Sequence, residues 1–539
     1  VIEKLQNAHA LLHHSKLNHS YPHSWRSKAP LIYRATSQWF ISMENNNLRE
    51  KALEAINNVD WLPKTGKNRI ESMVKNRPDW CISRQRVWGV PITIFVNKKT
   101  KTVLNDRNVN DRIINQIKEE GVVAWKKYDG AFFLGDKYNP DDYEKVTDIL
   151  DVWFESGCTH EFVLEGRSNL KFPADVYFEG SDQHRGWFQS SLLESCGTKG
   201  VAPYKRVITH GFVLDEKGYK MSKSLGNTTA PQEVIETLGA DVLRLWIATS
   251  DYTDDVRIGK EILKHTEDLY RRLRNTLRYL LGALNGFDSS EPMDYESMPE
   301  LEKYILHKLK EVEKSYQDVT NGFDIGEFTS ALHNFCSNDL SAFYFDIRKD
   351  RLYCDALNNA ERVQTLQVMD LVFKQLVHWL APITSFTAEE AWQSYTCDQN
   401  DSIHLKVTPK LEDKFFNEKL CLKWNEIRQV RKVITGAIEL ERASKTIGSS
   451  LQAQVFIYLS SDWNGKLENY DWAELSIVSS FSLVYATPPA HAFTLEEVPG
   501  LGVVVENAEG EKCVRCWKIQ KDVGSYKNEG LCKRCDCTV

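Results

Sequence analysis

The sequence predicts a multidomain chain: an α/β half built on a parallel sheet, then an all-α bundle, a small α/β module and a cysteine-rich metal-binding tail. Three observations carry this. Strand, helix and strand follow one another between Asp175 and His210. Such a βαβ unit requires parallel strands. After Asp251 the hydrophobic period lengthens to three and four. Five of the 12 cysteines crowd into the last thirty residues.

The elements follow in order. Asp175-Val176-Tyr177-Phe178 reads as a buried strand that Gly180 breaks. Ser181 or Asp182 can cap a helix running to about Cys196. Val207 to His210 reads as the next strand. Leu301, Ile305, Leu309, Val312, Tyr316 and Val319 step along one face of an amphipathic helix. Asp370 to Leu380 is an apolar helix stopped at Ala381-Pro382. Thr387-Ala388-Glu389-Glu390 matches a capping box opening another. The alternation of Ala453 to Tyr458 suggests strands in a small module.

At 539 residues, three or four domains are expected, and 42% hydrophobic with 27% charged residues is ordinary globular composition. The net charge of -7 excludes a globally basic nucleic-acid binder but leaves room for a local basic surface. No apolar run is long enough for a bilayer, and no signal peptide is visible. Seven single cysteines argue for a reducing compartment with one metal site rather than a disulfide framework.

Four runs carry chemistry. Lys220-Met221-Ser222-Lys223-Ser224-Leu225-Gly226-Asn227 sets two ammonium groups and two hydroxyls in a polar loop between strand and helix. Ammonium groups suit triphosphate oxygens, and a lysine loop can stabilise charge as pyrophosphate leaves. A bare Lys-x-x-Lys would be a solvated turn; the whole run in this context is not. Phe178-Glu179-Gly180-Ser181-Asp182-Gln183-His184-Arg185-Gly186-Trp187-Phe188 lies at a strand's carboxyl end, where α/β sheets bind ligands. Glu179 can hold an α-ammonium group, and Trp187 can wall a small apolar pocket; taken singly, such residues are more often a strand-end carboxylate and a core aromatic, and the whole run is what is specific. In Asn76 to Ile92, arginines interleave with tryptophans, which suits phosphate and base contacts or a structural stacking cluster. Cys513-x2-Cys516 and Cys532-x2-Cys535 can present four thiolates to one zinc ion, with Cys537 a rival ligand of poorer spacing. Lys512, Arg515, Lys518, Lys533 and Arg534 make this tail basic.

The lysine run resembles the second nucleotide-binding motif of class I aminoacyl-tRNA synthetases. The Phe178–Phe188 run, with Asp148 to Gly157 and Asn76 to Ile92, is similar to the isoleucyl family within that class. Tyr21 to Pro30 and Arg34 to Phe40 look like the exit from its editing insertion, and Phe343 to Tyr353 like its anticodon-binding domain. The resemblance implies the end of the editing insertion over 1–35 and the second half of a Rossmann-type catalytic domain over 36–260. It implies a helical anticodon-binding domain over 261–435, an α/β module over 436–508 and a zinc knuckle over 509–539. The implied reaction is ATP-dependent ligation of L-isoleucine to tRNA(Ile) through an adenylate, with Mg2+ accompanying ATP and one Zn2+ per chain. Lys220, Met221, Ser222, Lys223, Ser224, His210 and Gly211 would serve ATP, Lys220 and Lys223 catalytically. Glu179, Gly180, Asp182, Gln183 and Trp187 would bind the isoleucyl-adenylate, and Cys513, Cys516, Cys532 and Cys535 the zinc. A monomer in a bacterial cytosol or organelle matrix, without membrane contact, is expected.

Two departures qualify the resemblance. Ser24 stands where many relatives have cysteine, so no zinc is expected there. The first nucleotide-binding motif, His-x-Gly-His, is absent, as is most of the editing domain; both are expected before Val1, leaving this chain inactive alone and without editing. Rival readings are a valyl-type ligase, disfavoured by the Glu179–Phe188 run, and a non-catalytic RNA-binding protein, disfavoured by the intact lysine loop.

Overall fold

The computed structural model describes residues 1–539 except 25, 26, 223, 224 and 289, and except the side chains of Thr320 and Asn321. The chain divides into two compact units, Val1–His210 and Gly211–Val539. Trp25 and Arg26 of the opening run, and Lys223 and Ser224 of the lysine run, lie outside the described residues.

The first unit is built on three parallel strands in the order Asp60–Leu62, Tyr204–His210, Ala174–Gly180. Helices Leu48–Asn57, Thr65–Lys75 and Trp187–Lys199 cover the sheet. Their apolar faces meet Trp61, Tyr177, Tyr204 and Val207 in one core. Helix Trp187–Lys199 starts later than the sequence suggests. Ser181–His184 is instead a separate 3-10 turn, and neither Ser181 nor Asp182 caps the helix. The first exposed N–H, that of Trp187, is accepted by the Gln183 side chain at 3.0 Å. The helix is buried from Phe188 to Cys196.

Between the hairpin strands Phe95–Asn97 and Tyr143–Lys145 lies an insertion unforeseen in the sequence. It carries helices Arg107–Glu120, Ala124–Lys127 and Gly130–Leu134 around its own core of Phe95, Val109, Ile113, Trp125 and Phe133.

The second unit opens with a short parallel pair, Val213–Leu214 and Val256–Arg257, then becomes helical. Lys260–Leu284, Glu300–Gly322, Ala360–Leu380 and Glu418–Ala443 are its long helices. The amphipathic stretch from Leu301 lies within Glu300–Gly322 and buries Leu301, Ile305, Leu309 and Val312. The capping box at Thr387 is replaced by a tertiary cap. The helix Ser385–Thr396 begins two residues earlier, and buried Asp241 accepts the Thr387 N–H at 2.7 Å and its hydroxyl at 2.6 Å. A carboxylate at a helix N-terminus answers both the unpaired N–H groups and the dipole. Residue 435, where a division was expected, falls within helix Glu418–Ala443. The bundle core continues without a break into the strands Ser480–Val484, Ala453–Leu459 and Leu501–Asn507.

A buried ion pair ties these parts. Glu302 is 0% exposed, and Arg348 meets it with two hydrogen bonds, Nε at 2.7 Å and Nη2 at 2.6 Å. Thr365 donates to the same carboxylate at 2.9 Å. The remaining Arg348 nitrogen reaches Glu474 beside the terminal sheet at 2.7 Å. Burial alone would raise the Glu302 carboxyl, but the Arg348 charge and hydrogen bonds outweigh it and hold the group below its ordinary range. Glu302→Gln leaves half of a buried guanidinium unanswered and is expected to cost about 3–5 kcal/mol. Urea unfolding measures this, and a loss under about 1 kcal/mol would show that the pair is not load-sharing.

Glu194 is the opposite case. It is 8% exposed, packed against Gly157, and neither oxygen has a hydrogen-bond partner among the described residues. Burial pushes its carboxyl up to about 8, the nearby Cys158 thiol offsetting part of this. The folded value lies above the unfolded one, so the neutral acid's contribution is complete below the ordinary carboxylate range and is lost as pH rises through about 8. Glu194→Gln should therefore be more stable than the parent at pH 9, with that advantage shrinking toward pH 5. A stability gap independent of pH would show that the carboxylate is ionised throughout.

Candidate active site and metal centre

The parallel register sets Glu179 beside Thr209 and Gly180 beside His210, at the carboxyl edge of the sheet. Glu179 Oε1 accepts the Gly180 N–H at 3.0 Å and lies 3.8 Å from His210 Nε2. Both side chains stay partly open to solvent. A Cβ on Gly180 would come within 2.7 Å of Asp182 Oδ1, so a larger residue there would displace that carboxylate. Gln183 bridges the turn, accepting from Trp187 N–H and donating from Nε2 to Asp182 Oδ2 at 3.2 Å.

Trp187 is anchored more firmly than a simple pocket wall. Its ring stacks on Tyr177 at 4.2 Å, and its indole N–H donates to the Ser156 carbonyl at 3.0 Å. The structure brings a second indole to the same place. A Cβ on Gly186 would lie 2.9 Å from the Trp153 ring, which is itself 43% exposed. Sequence reasoning placed Trp153 only in a subfamily run; nothing in its spacing from Trp187 signals that the two meet. Sequence reasoning also gave no role to His184, which is buried, stacks on Trp61 and directs Nδ1 at the Ser181 carbonyl at 2.7 Å. Burial lowers its pKa, so the ring is a neutral brace for the turn.

The arginine–tryptophan run folds against Asp148 to Gly157, with Ser83 paired to Leu150. Arg84 meets Asp151 at 2.8 Å, Arg77 donates to Gln189 at 2.5 Å and lies over Trp80 at 5.4 Å. These residues, with Trp153 and Arg185, line a cavity of about 310 Å³. Cys81 sits at its wall, its thiol 3.5 Å from the Gln38 side-chain oxygen.

The second group of residues lies in the other unit. Gly211 N–H donates to the Tyr252 carbonyl at 3.0 Å, and a Cβ there would strike the Asp254 backbone at 2.3 Å. The lysine loop is pinned on both sides of its undescribed residues. Asn227 Oδ1 accepts the Ser222 N–H at 2.9 Å, while Nδ2 donates to Asp215 at 2.9 Å and to the Lys220 carbonyl at 3.3 Å. Asp215 also accepts the N–H groups of Lys217 and Tyr219, and these bonds, Asn227 first, hold its carboxyl below the usual range. Met221 packs against Val234, Trp246, Ile258 and Leu263. The backbone is thus held while the Lys220 side chain remains exposed. The Asp215–Asn227 brace was not legible in sequence, because its two ends are separated by the loop they hold.

The tail gathers Cys513, Cys516, Cys532 and Cys535, all buried, with their sulfurs within 4.8 Å of one another. Cys516 and Cys532 Sγ are 3.8 Å apart. Tetrahedral thiolates at ~2.3 Å from zinc would be separated by about 3.8 Å, so the donor set and its spacing fit that ion. Burial would raise the Cys513 thiol, but N–H groups of Cys516, Cys532 and Arg515 outweigh it and hold it at about 6. Burial and the neighbouring sulfurs push Cys516 up to about 12 and Cys535 upward too. Four such groups ionise together only around a cation. Cys537 is exposed and outside the cluster.

Two of the five residues that make the tail basic have protein partners. Arg534 pairs with Asp350 at 2.6 Å and Asp355 at 3.6 Å, and Arg515 donates to the Cys535 carbonyl and the Thr538 hydroxyl. Arg534 fastens the tail to helix Asp346–Cys354, and Arg515 braces the tail itself.

Comparison with known proteins bears on the family of the chain. The family described as tRNA synthetases class I (I, L, M and V) matches residues 6–259, and the anticodon-binding domain of tRNA ligase matches residues 302–457. The isoleucine–tRNA ligase of Gluconobacter oxydans (strain 621H) is 51% identical over 98% of this chain and 54% of its own length. That of Bartonella henselae is 51% identical over 97% of the chain and 54% of its length, and that of Pelagibacter ubique 49% over 97% and 57%. A methionyl-tRNA synthetase of Mycobacterium tuberculosis bound by methionyl-adenylate superposes with a TM-score of 0.49 at 16% identity, over 75% of this chain and 73% of that one. The chain spans about half the length of the curated relatives it matches. Identity near one half along almost all of its residues, together with both family domains, places the chain in the isoleucine–tRNA ligase family of class I tRNA synthetases.

Proposed function

We propose that this chain carries part of the machinery that joins L-isoleucine to tRNA(Ile) with ATP, through an isoleucyl-adenylate, in an enzyme acting as a monomer. The observation that carries this reading is the fold of the Phe178–Phe188 run. It sets a carboxylate, an imidazole and the edges of two indoles around one strand terminus. Glu179 would hold the α-ammonium group, while Trp153 and Trp187 bound the aliphatic side chain. The amino-acid carboxylate attacks the α-phosphorus of Mg2+-bound ATP. The bond to the bridging oxygen breaks and pyrophosphate leaves. Lys220 and Lys223 would stabilise the charge gathering on the departing phosphates, with Met221, Ser222, Ser224, His210 and Gly211 shaping the nucleotide site. A ribose hydroxyl of the tRNA then displaces AMP from the acyl carbon. Gly180, Asp182 and Gln183 would order the turn that faces the adenylate.

In an enzyme that joins this chain to the portion of its relatives it does not span, Lys220→Ala should lower kcat for isoleucine-dependent ATP–pyrophosphate exchange by about 10²–10³-fold. Glu179→Gln should act mainly on the isoleucine KM. Exchange that ignores both changes would refute the reading.

Zinc is proposed at Cys513, Cys516, Cys532 and Cys535, where it would supply the folding energy of a tail too short for a core of its own. Metal analysis should give one zinc per chain, lost in Cys532→Ser and retained in Cys537→Ser. Affinity should fall in acid as protons compete for sulfur. Full zinc in Cys532→Ser would overturn the ligand set.

A further inference from the structure

Glu194 lies in the buried stretch of helix Trp187–Lys199, about two turns beyond Trp187. Its carboxyl rests on Gly157, the last residue of the short helix Val152–Gly157. A Cβ on Gly157 would come within 2.6 Å of Glu194 Cδ and 2.8 Å of Oε2, so the missing side chain is what lets the two helices meet this closely. Neither carboxyl oxygen has a hydrogen-bond partner among the described residues.

The groups around Glu194 do not answer a charge. Cys158 follows Gly157 and offers only a thiol, which burial and then Glu194 push up to about 12. Tyr177 of strand Ala174–Gly180 meets Ser191 Oγ at 3.3 Å. His160 directs Nδ1 at the Gly157 carbonyl at 2.9 Å, and burial lowers its pKa, which keeps the ring neutral. Lys199, on the same helix, pairs with Glu161 and Glu165. Lys51 of helix Leu48–Asn57 lies by Cys196.

The same joint holds both indoles. Trp153 belongs to helix Val152–Gly157 and abuts Gly186. Trp187 donates its indole N–H to the Ser156 carbonyl at 3.0 Å, next to Gly157. Ser191 donates to the Gly157 carbonyl at 2.9 Å. The spacing of the helices at Gly157 therefore sets where the two rings stand. A carboxylate formed there would need water or a donor, and the joint would have to open to admit one.

We propose that Glu194 is a positioning residue of the amino-acid pocket: packed on Gly157 as a neutral acid, it lets the two helices close, and its ionisation parts Trp153 from Trp187 and weakens the hold on isoleucine. The proposal rests on the reading of these rings as the walls of that pocket. Glu194 touches no reacting atom and acts through the joint.

Two measurements test it. The first uses the chain itself, labelled with fluorotryptophan, with the two resonances assigned by Trp153→Phe and Trp187→Phe. Both should shift as pH rises from about 7 to about 9, and stay in place in Glu194→Gln, whose amide keeps the shape without the charge. The second follows the isoleucine KM for ATP–pyrophosphate exchange, in an enzyme that joins this chain to the portion of its relatives it does not span. With the carboxyl pushed up to about 8, about a tenth of the neutral form is left at pH 9, so the parent's KM should rise up to about tenfold relative to Glu194→Gln, while kcat changes less. The ammonium group of isoleucine titrates alike with both proteins and cancels in that ratio. Gly157→Ala, whose methyl meets the carboxyl, should raise the KM already at neutral pH. Resonances that ignore pH, or that move equally in Glu194→Gln, would overturn the role of Glu194 while the pocket reading stands or falls on Glu179→Gln. Resonances that titrate while the KM ratio stays flat would overturn it too, and with it the two rings as pocket walls. A Gly157→Ala enzyme with the parent's KM would show that the joint does not set the pocket, and the proposal would fail.

Discussion

The second unit hangs on the buried pair between Glu302 and Arg348. Three of its four parts converge on helix Asp346–Cys354. Arg348 takes Glu302 from the bundle and Glu474 from the terminal module. Arg351 takes Glu361 and Glu474. Asp350 takes Arg534 of the cysteine tail. A charge without a partner in this interior would cost several kcal/mol, so each element is held to the one position that answers the others. The helix is aimed by the π-helical segment Phe335–Phe345 that precedes it, whose aromatic side chains fill the space between Glu300–Gly322 and Glu418–Ala443. Hydrophobic burial supplies the stability here, and the ion pairs supply the register.

The same division holds at the sites. In the lysine loop, Met221 lends apolar burial, while Asp215 and Asn227 fix the path of the chain. The exposed ammonium group is left to the substrate. At the strand terminus, the stacked pair Tyr177–Trp187 and the braced ring of His184 hold the turn, and Glu179 keeps partial access to solvent. In both places a charged side chain proposed to touch ligand, Lys220 or Glu179, keeps access to solvent, while its neighbours are packed or hydrogen-bonded. Preorganised positions with accessible tips are what differential stabilisation of a transition state requires.

The cysteine tail combines two kinds of contact. The sulfur spacing suits a tetrahedral ion. The docking uses Arg534 on Asp350 and the pairing of Ile519 N–H and the Gln520 amide with Ser479. Lys512, Lys521, Lys527 and Lys533 of the tail are exposed, as is Arg534 despite its pairing with Asp350.

By itself the sequence determined whatever depends on local spacing. The periods of two and of three to four gave the parallel unit, the long helices and the alternating strands, because side-chain direction follows directly from backbone geometry. The two C-x2-C pairs gave the cysteine cluster for the same reason, and contiguous runs carried the family. Tertiary structure decided what depends on partners distant in sequence. Gln183 rather than Ser181 meets the start of helix Trp187–Lys199, and Asp241 rather than Thr387 caps Ser385–Thr396. Trp153 reaches Gly186 across the unit, Arg534 turns to Asp350, and residues 92–146 close on a core of their own. A backbone N–H or a buried charge must be satisfied by some group, but spacing along the chain does not say which. That choice is made only when the folded chain brings the candidates within about 3 Å of one another.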